Sequence, residues 1–186
     1  MSEQAVADAC FLIDWCRYAH WQLLEHLFQR IYIHAEVLDQ LVSEPAVKLA
    51  STWLGKRFLV LYPWMEEDEQ LAQQLTREIV AHPQLPYLER PDVLCLVIAL
   101  RTGAPLLSEN TGILRACNYH PRLTQVQVLT ALDVLTLLAE RGHLPIASTQ
   151  DFLNHVRAYS EQTGHVFSEA RIKQAVARIE RWLQSQ

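Results

Sequence analysis

Four carboxylates stand where this sequence could do chemistry. Asp8 closes the apolar run "QAVAD", Glu36 follows "RIYIH", Asp92 opens "PDVLCLVIALRTG", and Glu109 follows "APLLS". Carboxylates gathered in one cleft repel, and some must take up protons to coexist. A divalent cation relieves that repulsion, and hard oxygen ligands without His or Cys favour Mg2+ or Mn2+. Each acid also has an ordinary role open to it. Asp8 can bond the turn after its strand, Asp92 and Glu36 suit a helix first turn, and Glu109 suits a solvated loop. Asp8 leans most towards function, because between "AVA" and "ACFLI" a charge is poorly placed for solvent.

The elements that must position these acids read as alternating strands and helices. Strands are expected at 4–8, 30–34, 57–62, 104–108 and 124–129, from short apolar or β-branched runs. Helical spacing runs through 11–28, 35–44, 45–54, 63–82, 91–103, 110–117 and 130–142, with Pro45 opening one helix and Gly55 and Gly103 closing two. The acid run Glu66 to Glu69 falls in a first turn, where it meets the positive end of the helix dipole. Thr130 and Asp133 have capping-box spacing, which makes Asp133 a cap and not a site. Strands without a polar face, alternating with helices, predict an α/β fold: a parallel sheet of four to five strands with helices on both faces. In such sheets ligands bind beyond the carboxyl ends of the strands, which is where the four acids fall. After Gly142 the texture changes to two amphipathic helices capped by Ser148 and Ser168. The expected organisation is therefore an α/β domain over 1–142 and a C-terminal helical hairpin over 143–186. The hairpin reads as a cover for exposed core, with a docking or RNA-facing surface as its functional counterpart.

Composition bounds the partners. The chain has 186 residues and a net charge of −5, whereas dedicated nucleic-acid binders are usually basic. Either nucleic acid is not the ligand, or the acids collect where a metal offsets them. No apolar stretch reaches the ~20 residues of a membrane span, and the opening residues show no basic-then-apolar leader. The cysteines at 10, 16, 95 and 117 form no CxxC pair and read as reduced thiols in a cytoplasmic protein. The histidines show no zinc-ligand spacing.

"VADACFLIDW", "IYIHAEVLDQL", "PDVLCLVIAL" and "APLLSEN", in this order, resemble the PIN domain, the nuclease fold of VapC-type toxins, and within it an uncharacterised prokaryotic branch. The likeness spans roughly residues 4 to 142. It implies a PIN-like sheet and a Mg2+- or Mn2+-dependent endoribonuclease, with Asp8, Asp92 and Glu109 as metal ligands and catalytic groups. Pro91 replaces the usual glycine before Asp92, Glu109 stands for the usual Asp, and Asn110 takes the place of a further acid. The second motif's Glu aligns with Gln40; Glu36, one turn earlier on the same face, is the candidate substitute. Asp39 points about 100° away from Gln40 on a helix and is less apt. Asn110, Gln40 and Asp14 are expected in the outer shell. The resemblance further implies an RNA substrate cut to leave a 5′-phosphate, a small antitoxin protein as partner, and a homodimer. Arg17, Lys48, Arg115 and Arg122 are RNA-contact candidates by position.

Two rival readings remain. Gln40, Asn110 and the negative net charge favour a catalytically degraded PIN-fold protein that binds RNA or a protein without cutting. A doubly wound nucleotide-binding or phospho-acceptor domain is weaker: no Gly-rich phosphate loop follows a strand, strand one lacks paired acids, and no lysine follows a late strand.

Overall fold

The computed structural model describes residues 4–186; residues 1–3, part of the stretch read for a leader, lie outside it. The chain forms an α/β fold with a five-stranded, all-parallel sheet in the order β3-β2-β1-β4-β5. The strands are β1 (Gln4–Ala7), β2 (Arg30–Ile33), β3 (Leu59–Leu61), β4 (Leu106–Leu107) and β5 (Val128–Leu129). Ala5, Val6 and Ala7 of β1 are all buried, as expected of a strand with no solvent face.

Helices α1 (Ala9–Trp15), α2 (Ala35–Leu38), α3 (Glu44–Gly55), α4 (Glu66–Ala81), α5 (Arg90–Thr102), α6 (Thr111–Tyr119) and α7 (Ala131–Glu140) flank the sheet. Helix α5 is buried from Val93 to Ala99 and packs on β1, β4 and α4. It stops at Gly103, whose left-handed φ of 65° a side chain would strain. In α3, by contrast, Gly55 is still helical, and the left-handed residue is Arg57, with φ 58°.

Two expected helices are broken. Residues 11–28 divide into α1 and a 3-10 turn, Trp21–His26. Between them the backbone makes short turns, Arg17 N–H to Asp14 and Tyr18 N–H to Trp15, while Ala19 N–H donates to Gln162 Oε1 at 2.7 Å and the Trp15 indole donates to the Trp21 carbonyl at 2.8 Å. Residues 35–44 give only the one-turn α2 and a run of turns, from which α3 restarts at Glu44.

The tail forms α8 (Thr149–Thr163) and α9 (Glu169–Gln184), capped by Ser148 and Ser168 as expected. Both pack on α7 and on each other. Tyr159 of α8 lies 5.7 Å from Trp15 and 5.3 Å from Tyr18, ring centre to ring centre, and Arg178 of α9 makes a two-pronged bond to Glu140 at 2.6 Å. Phe152, Val156, Tyr159 and Ile179 belong to the same buried cluster as β1 and α5. The hairpin thus completes the core, and packing is continuous across residue 142.

Candidate functional site

The chain runs from β1 outward through β2 and β3, then returns to place β4 and β5 on the other side of β1. The strand order reverses between β1 and β4, and in open parallel sheets the crevice outside the strand ends at such a switch point is where ligands bind. Ala7 pairs with Leu107, so Asp8 and Ser108 emerge side by side. Asp8 is 3% exposed. It caps α1, accepting the Phe11 N–H at 2.7 Å, and its other oxygen accepts the Ser108 hydroxyl. Ser108 in turn accepts the Asn110 N–H at 3.0 Å.

Asp92 enters from the first turn of α5, where it accepts the Glu89 N–H at 3.2 Å. The Asn110 side chain also bonds it. Asn110 carries a second duty, since its side-chain oxygen accepts the N–H groups of Gly112 and Ile113 as the cap of α6. One turn along α5, the Cys95 thiol donates to the Ala7 carbonyl at 3.7 Å and ties the helix to the end of β1. Glu109 accepts the Ala131 N–H at the start of α7, and His165 of the tail stands 3.3 Å from its second oxygen. The other imidazole nitrogen of His165 lies 3.4 Å from Asp14.

The electrostatics tie these groups together. Burial, reinforced by the charges of Asp92 and Glu109, pushes the Asp8 carboxyl up to about 7 against the bonds from Ser108 and Phe11. Burial also raises Asp92, against the bonds from Glu89 and Asn110, and raises Glu109 and Asp14, which His165 partly offsets. Partial burial, then the charges of Asp8, Asp92, Asp14 and Glu89, push the nearby Cys10 thiol up to about 11, away from the thiolate form.

Glu36 is committed elsewhere. Arg90 grips it at 3.1 and 3.2 Å while forking onto Glu69 at 3.0 and 2.9 Å, and this contact holds Glu69 down to about 2. Gln40 is exposed in the turn after α2 and Asp39 caps that helix. Of the basic candidates, Arg17 donates to the Thr163 carbonyl at 3.4 Å and Arg122 pairs with Glu78, while Lys48 and Arg115 are exposed. Sequence reasoning missed Ser108, Glu89, Arg90 and His165. Ser108 and Arg90 sit beside named acids in "LLSEN" and "LERPD", which was signal enough to name them. His165, in a short loop between two tail helices, had none.

The donor chemistry of Asp8, Asp92 and Glu109 fits a hard cation, whose charge would offset the burial and the mutual repulsion that raise Asp8. The placement is less complete: among the described residues no three His, Cys, Asp or Glu side chains stand together as a ready metal-ligand group. Glu109 is the member turned away, towards Ala131 and His165. Comparison with known proteins returns no family model, no curated protein and no solved structure that matches the chain. Among the described residues no helix is long and apolar enough to cross a membrane.

Proposed function

We propose that this chain is a PIN-like RNA phosphodiesterase whose acid crevice works with Mg2+ or Mn2+. The observation that carries the reading is Asp8: a buried carboxyl at the switch point of a parallel sheet, made hard to ionise by its depth and by two other acids. Asp8, Asp92 and Glu109 would hold the cation, which when bound would acidify a water and stabilise charge developing on the phosphate. The chain's other groups orient these three. Ser108 fixes one Asp8 oxygen and Phe11 N–H the other. Asn110 links Asp92 to the start of α6. The RNA substrate, a 5′-phosphate product, an antitoxin partner and a homodimer belong to this proposal through the PIN resemblance.

One alternative has specific support. Glu36 is tied to Arg90, Gln40 stands where a fourth acid is expected, Asn110 spends its side chain on capping, and the acids do not form a ready ligand trio. These features favour a PIN-fold protein that binds RNA or protein without cutting. Incubation of labelled single-stranded RNA with the pure protein in Mn2+, Mg2+ or EDTA separates the two. Metal-dependent cleavage that falls at least ~100-fold in Asp8→Asn and Asp92→Asn supports the enzyme. Wild type that neither cleaves RNA nor binds Mn2+ in calorimetry leaves the binding module.

A further inference from the structure

Two of the acids at the crevice already face one side chain of the tail. His165 is carried on the loop 164–168 between α8 and α9, far from the crevice in sequence, yet both its ring nitrogens address carboxylates: Nδ1 lies 3.4 Å from Asp14 and Nε2 3.3 Å from Glu109. The loop is built to hold the ring there. Gly164 turns the chain with φ 76° at the end of α8, and the His165 N–H donates to Thr163 Oγ1 at 3.1 Å. Phe167 packs on the ring at 4.6 Å between centroids, with Tyr159 behind it at 6.4 Å. The imidazole is 21% exposed and Phe167 only 7%, while Val166 between them is 88% exposed, so the loop turns two rings inward and leaves the residue between them outside.

Resting on the reading of the crevice as a divalent-cation site, we infer that His165 is a built-in plug that closes it, its ring seated between Asp14 and Glu109. The imidazole holds Glu109 away from Asp8 and Asp92, and a metal ion gains its third carboxylate only when the loop 164–168 withdraws. The device makes cation entry a competition between an external ion and a residue of the tail. Anything that lifts the hairpin loop opens the site, and anything that pins it shuts the site. The same contact accounts for the acids being near each other without forming a ligand trio.

The test is Mn2+ binding by titration calorimetry on the full chain, with wild type, His165→Ala, His165→Gln and the double variant His165→Ala/Asp92→Asn. The expected result is Mn2+ affinity about tenfold higher in both single variants than in wild type, abolished in the double variant. In parallel, Mg2+ added to wild type is expected to move the imidazole resonances of His165 in nuclear magnetic resonance spectra, because the ring leaves Glu109. This second readout stands even if a substitution disturbs folding. Equal affinity in wild type and both His165 variants, with unmoved imidazole resonances, overturns the lock and leaves the metal site standing. Weaker binding in the variants also overturns it, making His165 a ligand. No Mn2+ binding by any form removes the metal site and the lock together.

Discussion

At the scale of single residues, Asp8 has the clearest physical consequence. Its folded-state pKa, about 7, lies above the ordinary 3.8 of an unfolded chain. The folded form therefore binds the proton more tightly, and the fold carries no penalty from Asp8 below pH ~4, a growing one between, and the full one above ~7. At ~1.36 kcal/mol per pKa unit, the rise from 3.8 to about 7 is worth at most ~4 kcal/mol. Repulsion shared with Asp92 and Glu109 reduces what one substitution recovers. Asp8→Asn keeps an oxygen for the Phe11 N–H and is expected to be more stable than wild type by about 1–3 kcal/mol at pH 8 in metal-free buffer, with the gain vanishing near pH 4. Urea unfolding at the two pH values measures it, and parallel pH profiles for the two proteins would count against a buried, strained Asp8. This residue was legible in the sequence because a lone acid between apolar runs can only end a buried strand. Asp92 and Glu109 were legible for a similar reason, since the parallel topology brings the ends of apolar segments to one edge. Glu36 was a candidate only as a substitute for Gln40, and its side chain goes to Arg90, a pairing that no spacing along the chain announces.

At the scale of elements, the acid run of α4 shows how a correct assignment can understate a role. Its place in the first turn is as expected from the helix dipole. Asp68, however, is 3% exposed; it accepts the Met65 N–H at 3.0 Å and Arg101 of α5 at 2.8 Å, so it also fastens α4 to the helix that carries Asp92. Removing the cation leaves a buried carboxylate short of a partner, which costs far more than losing an exposed pair. Arg101→Met is therefore expected to destabilise the protein by about 1–3 kcal/mol. Lys173→Met, which removes an exposed pair with Glu169 at 3.9 Å, should change it by less than ~0.5 kcal/mol. Equal shifts in thermal midpoint for the two variants would show that α4 and α5 are held by packing alone. The same contrast explains which elements the sequence misplaced. Helix α5 announced itself by the unbroken apolar run 93–100 and a glycine stop. The stretch 11–28 had helical spacing too, yet its backbone closes into tight turns around residue 19, where the Ala19 N–H goes to Gln162 and the Trp21 carbonyl to the Trp15 indole, side chains whose positions depend on the finished fold.

At the scale of the molecule, the hairpin decides whether the chain behaves as one unit or two. A boundary near 142 is visible as a change in texture, but texture reports what a segment is made of and not what it rests on. Tyr159 sits between Trp15 and Tyr18 with no exposed surface, and Arg178 holds Glu140 of α7 at 2.6 Å. Trp15 belongs to the helix that Asp8 caps, so the tail braces that helix through Tyr159 while His165 reaches Glu109 directly. Shared burial on this scale couples the unfolding of the parts. Scanning calorimetry of the full chain is expected to give one transition whose calorimetric and van't Hoff enthalpies agree. Tyr159→Ala removes a fully buried ring and should cost about 3–5 kcal/mol, moving that single transition down as a whole. If α8 and α9 were merely appended, the variant would split the trace into a low-temperature melt of the hairpin and an unmoved melt of the sheet, and the tail could then neither brace Asp8 nor hold His165 in place.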